Sequence, residues 1–182
     1  MKLFTTASIF WIVAAGGWGI ASAAESSAAT ASAKLANAKG EQVGEATLTE
    51  TPSGLLIRLA LQANPPGLAP GEHGFHVHEV GKCEPPFKSA GGHFNPGKKK
   101  HGYHAKDGAH AGDLPNIHIP SSGGLTVEFL VPGLALTRGK NALLDADGSA
   151  LVIHARGDDY RSDPAGESGD RVACGVVMKA GL

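Results

Sequence analysis

The stretch from residue 74 to residue 113, GFHVHEVGKCEPPFKSAGGHFNPGKKKHGYHAKDGAHAGD, constrains this chain more than any other. It carries His76, His78, His93, His101, His104 and His110, then Asp113, out of nine histidines in the whole sequence. His76 and His78 are two apart. In an extended strand such residues face the same way, about 6.5 Å apart along the chain, and two imidazoles so placed can converge on one ion. The other candidate ligands follow in Gly-, Pro- and Lys-rich sequence with no apolar period, which reads as a long loop. A loop of that length in a compact domain needs something to order it, and a bound metal does so.

The residue types narrow the metal. Three histidines and one carboxylate make a closed tetrahedral set for zinc, while imidazoles alone suit copper as well as zinc. The pair His76/His78 is incomplete, so more histidines must come from elsewhere. His154, in the apolar run SALVIHARG, is the only other histidine embedded in a strong strand pattern. Scattered surface histidines are the bland explanation, but composition alone does not gather six histidines and an aspartate around turns.

Six blocks in order, GFHVHE, GGHFNP, KHG, AHAGDLPN, LVIHARGDD and DRVACGV, resemble the copper/zinc superoxide dismutases from about Lys34 to the C-terminus. The resemblance implies roles residue by residue. His76, His78 and His154 match the copper ligands, and His93 matches the histidine whose imidazolate bridges copper and zinc. His101, His110 and Asp113 match the remaining zinc ligands, and Arg171 matches the arginine above the copper. Cys83 and Cys174 match the intrasubunit disulfide. Asp158 matches the aspartate linking the two sites, expected to bond to His76 and His101. Cys83 falls five residues after His78, in VGKCEPP, which resembles the bacterial secreted, periplasmic branch.

The activity so implied is dismutation of superoxide to dioxygen and hydrogen peroxide, with copper and zinc as cofactors. Copper must carry the electrons because zinc has no redox chemistry. In the family picture His93 leaves copper and takes a proton during the cycle, and Arg171 pairs with the anion. The implied protein is a monomer or a homodimer. A rival from another class is a non-catalytic periplasmic copper/zinc-binding protein for storage or delivery. His93 as a shared ligand and Arg171 over an open copper position favour the enzyme. A zinc hydrolase would need a base beside an open zinc, and no H-E-x-x-H occurs.

The start of the chain reads as a signal peptide, residues 1–23. Lys2 supplies the positive start, IFWIVAAGGWGI the apolar stretch and Ala21-Ser22-Ala23 the cleavage site. A retained anchor is the other choice, but this apolar core is short and Gly-broken for a span. Both tryptophans, Trp11 and Trp18, lie in this segment. Residues 24–33 read as a flexible lead-in and 34–182 as the domain. A periplasmic or secreted location follows, where two cysteines can pair and persist; the alternatives are free thiols or a Cys metal site.

Strands are expected at 33–38, 42–50, 54–62, 74–78, 116–119, 125–130, 150–154 and 172–179, separated by Gly/Pro turns. Segment 54–62 alternates only partly and is expected to be heavily buried. Eight short strands argue an all-β antiparallel sandwich or barrel. The resemblance sharpens this to a flattened eight-stranded Greek-key β-barrel, an immunoglobulin-like sandwich with long metal-binding and electrostatic loops.

The formal net charge of −1 at pH 7 argues against a nucleic-acid binder, which wants a basic face. No membrane partner is expected after signal cleavage. A small anion needs a local positive field in a cleft, and the candidates are Arg171, Lys88 and the run Lys98, Lys99, Lys100. Residues 155–170 form a second polar loop, which in the family closes one wall of the copper channel. His73, His104 and His118 read as hydrogen-bonded or exposed side chains, with His104 placed to compete for metal.

Overall fold

The computed structural model describes Met1 and residues 29–180. The expected signal peptide beyond Met1, and residues 24–28 of the expected lead-in, lie outside the described residues. Strands β1 (Thr30–Asn37), β2 (Gln42–Thr51) and β3 (Gly54–Leu61) form an antiparallel meander. The remaining strands are β4 (Gly71–His73), β5 (Phe75–His78), β6 (Ile117–Ile119), β7 (Leu125–Val131), β8 (Ala150–His154), β9 (Arg171–Val176) and β10 (Met178–Lys179).

The main ladder runs β5-β8-β9-β1-β2-β3-β7, with β10 on β1, and β4 pairs β6 separately. β4 and β5 are two halves of one extended run, parted at Gly74. The first half pairs β6 and the second pairs β8, while β6 packs against β7. The sheet therefore curls round on itself. The chain leaves β3 for β4 without stopping at its neighbour β7, and leaves β7 for β8 past β4, β5 and β6. Those two crossings are Greek-key connections, and the architecture is the flattened antiparallel Greek-key β-barrel that the sequence led us to expect.

Alternation decides which side chains meet the metals. All four residues of β5 are buried, yet Phe75 and Val77 enter the main core while His76 and His78 turn to the opposite face. β8 behaves likewise. Leu151 and Ile153 join the main core with Leu48, Ile57 and Leu59, whereas Ala150 and Val152 join a smaller cluster with Phe87, Ala90 and Cys174. The register sets His76 opposite Val152 and His78 opposite Ala150, and His154 ends β8 on the same side of the sheet. A strand pair buried on both faces can thus carry an apolar core on one and a ligand set on the other.

Three expectations need correction. β1 begins at Thr30, so the last residues of the expected lead-in are strand; Ala31 and Ala33 are buried there, and alanine's weak strand preference hid them. Segment 172–179 is two strands, broken at Val177, which is buried and donates its N–H to the Ser149 carbonyl at 2.9 Å. β3 is not heavily buried on both faces. Leu55, Ile57, Leu59 and Leu61 are buried, but Arg58 is exposed and reaches Glu128 on β7 at 3.7 Å. The period of two prevails because the outer face is wet.

Candidate metal centre

His76 and His78 come from β5, His154 from the end of β8 and His93 from the loop between β5 and β6. Their ligand-capable atoms all lie within 4.8 Å of one another. The loop is held against β5 by isolated bridges, His78 with His93 and His76 with Asp113. Backbone bonds from Phe94 N–H to the Val77 carbonyl (2.8 Å) and from Val77 N–H to the Gly112 carbonyl (2.9 Å) complete the stitching. A metal is therefore not alone in ordering this loop. Gly112 is required, since a Cβ there would collide with the Val77 carbonyl oxygen.

Hydrogen bonds fix which nitrogen each ring presents. His78 Nδ1 lies 3.0 Å from the Gly91 carbonyl and His154 Nδ1 3.2 Å from the Gly169 carbonyl. Each donates there, which leaves both Nε2 atoms bare, 3.4 Å apart. His76 is reversed: Nε2 donates to Asp158 Oδ2 at 2.8 Å, leaving Nδ1 bare. His76 Nδ1 and His93 Nε2 are buried without a hydrogen-bond partner. Orphaned buried polar atoms call for an explanation, and four bare nitrogens facing one point fit a copper or zinc ion.

Protonation agrees. Burial, reinforced by the neighbouring imidazoles, holds His154 down to about 3. Burial also lowers His93 to about 4, although the hydrogen bond to Asp113 opposes it. His78 lies well below the ordinary value, through burial first and then the charges of His93 and Arg171. At neutral pH these rings are unprotonated and ready to ligate.

His93 also belongs to a second cluster, with His101, His110 and Asp113. Nδ1 of His93, His101 and His110 lie 2.8, 3.1 and 3.1 Å from the same oxygen, Asp113 Oδ1. Three rings crowding one oxygen are four ligand atoms gathered round one point, the donor set of a closed zinc site. Asp113 Oδ2 is turned away and accepts N–H from Gly102 (2.9 Å) and His110 (3.0 Å). Burial would raise the Asp113 carboxyl, but hydrogen bonds from His101, His110 and His93 hold it far below the carboxylate range. Burial would lower His101, but its hydrogen bonds to Asp113 and Asp158 raise it to about 9.

Asp158 joins the two clusters. Oδ2 accepts from His76 at 2.8 Å and Oδ1 from His101 at 3.0 Å, both carboxylate and rings being fully buried. Sequence reasoning missed Gly166, at φ 65, where any Cβ would strike the Asp158 carboxylate.

Arg171 opens β9 and is half-buried. Nη1 donates to the Phe87 carbonyl at 2.7 Å and Nη2 to the Gly91 carbonyl at 2.6 Å. The Gly91 carbonyl thus receives both Arg171 Nη2 and His78 Nδ1. Burial lowers the guanidinium from its ordinary value, but arginine stays charged. Phe87, buried and left-handed at φ 67, introduces the 3₁₀ turn Lys88–Ala90. Nothing in the sequence flagged Phe87 or Gly91, because both act through backbone carbonyls.

Arg171 and His93 line one hollow together with Glu79 and Asn95. A neighbouring hollow is bounded by Arg171, Lys88, Pro86 and Asp170. Lys98, Lys99 and Lys100 line a different one with Asp107 and Asp163, and Lys100 Nζ lies 3.0 Å from Asp163 Oδ2. Lys88, rather than the lysine run, shares space with Arg171. Cys83 and Cys174 form a disulfide that ties the loop to β9. His73 is buried with its nitrogens 2.6 Å from the His154 carbonyl and 2.8 Å from that of Ala69. His104 and His118 are exposed and belong to neither cluster.

A Greek-key barrel that carries two ligand clusters fused through one imidazole defines a two-metal protein. Comparison with known proteins gives the family. Residues 42–177 match the family described as copper/zinc superoxide dismutase. The chain is 54% identical to superoxide dismutase [Cu-Zn] 1 of Aquifex aeolicus, over 80% of this chain and 85% of that one. It is 43% identical to superoxide dismutase [Cu-Zn] of Caulobacter vibrioides, over 81% and 85%. A crystal structure of a SOD-like protein from Bacillus subtilis superposes with a TM-score of 0.75 at 40% identity, over 81% of this chain and 97% of that one. The chain belongs to the copper/zinc superoxide dismutase family.

Proposed function

We infer that this protein dismutates superoxide to dioxygen and hydrogen peroxide, with copper and zinc as cofactors. The observation that carries the reading is the sharing of His93 between two complete ligand sets, with Arg171 beside it. Copper would be held by His76, His78, His93 and His154 and would supply the one-electron couple the reaction requires; zinc would be held by His93, His101, His110 and Asp113 and would supply a fixed neighbouring charge.

The chain's own residues do the rest. His93 Nδ1 is directed to the zinc side, at 2.8 Å from Asp113 Oδ1. Its Nε2 faces the copper side, buried and unpartnered, and is the atom that takes up and returns a proton. Arg171 draws the anion into the hollow, its fork held from swinging by the Phe87 and Gly91 carbonyls. Asp158 keeps His76 and His101 in the tautomers that ligation needs. Lys88 extends the positive field outward. Lys98, Lys99 and Lys100 contribute less, Lys100 being tied to Asp163.

The disulfide fits an oxidising space outside the cytoplasm. The finer assignment is export to the periplasm behind a signal peptide cleaved after Ala23, supported by the basic start, apolar stretch and small-residue site. Among the described residues no helix is long and apolar enough to cross a membrane.

A non-catalytic metal store uses the same ligands but gains nothing from Arg171 beside His93. Protein loaded with both metals should consume superoxide over many turnovers. Consumption that stops at one equivalent per copper would overturn the enzymatic reading.

A further inference from the structure

Two loops meet on the Asp113 side of the centre, and Tyr160 fastens them. Its hydroxyl accepts the backbone N–H of Asn116 at 2.7 Å. Its own N–H donates to Asp158 Oδ1 at 2.6 Å, the oxygen that receives His101 Nε2–H. Its carbonyl accepts the His104 N–H at 3.0 Å and lies so close to Gly102 that a Cβ there would collide with it. Its ring lies 5.3 Å from that of Tyr103, whose hydroxyl donates to the Asp113 carbonyl at 2.6 Å.

Asn116 closes the circuit. Its side-chain amide grips Asp158 by the peptide: Nδ2 donates to the Asp158 carbonyl at 2.9 Å, and the Asp158 N–H donates to Oδ1 at 2.8 Å. Tyr160 makes these contacts from a left-handed backbone, φ 59, which side-chain-bearing residues seldom adopt and which surrounding structure must hold in place. Tyr160 itself lies outside both apolar clusters. Its partners are Asp158 and Asn116, which hold the ligand histidines in place, and the residues 102–104 that follow the ligand His101.

We propose that Tyr160 is a positioning residue for the zinc ligands: it locks Asn116, Asp158 and the 102–104 turn into one unit that fixes His101 and Asp113, and so sets zinc affinity without touching the ion. The proposal rests on reading His93, His101, His110 and Asp113 as the zinc set. The side chain itself contributes the hydroxyl's bond with the Asn116 N–H and the ring beside Tyr103, whose hydroxyl holds the Asp113 carbonyl; Asp113 belongs to the zinc set and not to the copper set, so the effect falls on zinc rather than copper.

The test compares Tyr160→Phe and Asp113→Ala with the parent chain. Zinc affinity of copper-free protein is measured against a chromogenic chelator. Cobalt(II) absorption at the zinc site, copper affinity, and the melting temperature of the metal-free form are measured alongside. Tyr160→Phe should weaken zinc by about 10–100-fold, the range for residues that hold metal ligands. It should also alter the cobalt bands while leaving copper affinity and metal-free melting as in the parent. Unchanged zinc affinity in Tyr160→Phe, with zinc lost in Asp113→Ala, would overturn the role of Tyr160 alone. A matching fall in metal-free melting and in both affinities would overturn it too, since the tyrosine would then support the fold at large. Zinc retained by Asp113→Ala would overturn the site reading and the proposal with it.

Discussion

At the scale of single residues, the centre works because hydrogen bonds choose which nitrogen of each ring is bare. That choice has a pH signature in the metal-free protein. His93 and His154 sit near 4 and 3 in the fold, against 6.5 when free. Between those values the unfolded chain binds more protons, so stability falls as pH drops from about 6.5 towards 4. His101 behaves oppositely. Raised to about 9, it stabilises fully below its unfolded value, and that contribution is lost as pH rises through 9. Melting temperatures of metal-free protein should therefore peak near pH 6–7, between the two windows. A steady rise through pH 9 would contradict the pairing of His101 with two carboxylates. For catalysis, Arg171→Ala should slow turnover by about tenfold or more at low salt and flatten its salt dependence, with both metals still bound. Unchanged low-salt kinetics would remove the arginine from the account.

How legible these residues were depends on what each contributes. His76 and His78 followed from the period of a strand, and His154 from its apolar setting. His93, His101, His110, Asp113, Asp158 and Arg171 came through resemblance, because a loop has no period that says where its side chains point. Phe87, Gly91, Gly166 and Tyr160 were not visible. They act through carbonyls, through the absence of a Cβ, or through a left-handed backbone; a glycine in the sequence does not say what a Cβ there would strike, and the other two leave no mark in residue type.

At the scale of elements, β5 and β8 carry the design. Each buries both faces, one in the apolar core and one in the ligand set or beneath the disulfide. Strand positions were readable from alternation and turns, but β4 was not, since Gly71–His73 is too short and polar to stand out. It exists because β6 offers it a partner. Cys83 and Cys174 are 91 apart in sequence, and closing a loop of that size stabilises by roughly 4–5 kcal/mol on chain-entropy grounds. Cys83→Ala should lower the stability of the metal-free protein by about that much in denaturant titrations. It should also loosen the Phe87 and Gly91 carbonyls, which lie on the tethered loop. A loss below about 1 kcal/mol would show the loop to be held by other means. In the opposite sheet region, Ile57→Ala should cost about 2–5 kcal/mol by leaving a cavity, with metal content unchanged.

At the scale of the whole molecule, a nearly neutral chain, −1 at pH 7, cannot attract an anion by net charge. Attraction must be local, where Arg171 and Lys88 border one hollow. The barrel supplies rigidity and three of the candidate ligands, the loop between β5 and β6 supplies the others, and on the proposed reading His93 makes two metal sites into one centre. That last point is tested most directly by anomalous diffraction at the copper and zinc edges, from crystals loaded with both metals. The account predicts a copper peak enclosed by His76 Nδ1 and the Nε2 atoms of His78, His93 and His154. A zinc peak should be enclosed by the Nδ1 atoms of His93, His101 and His110 and by Asp113 Oδ1, so that the His93 ring stands between the two ions. Peaks that leave His93 bound to one ion only, or both metals in one cluster, would contradict it.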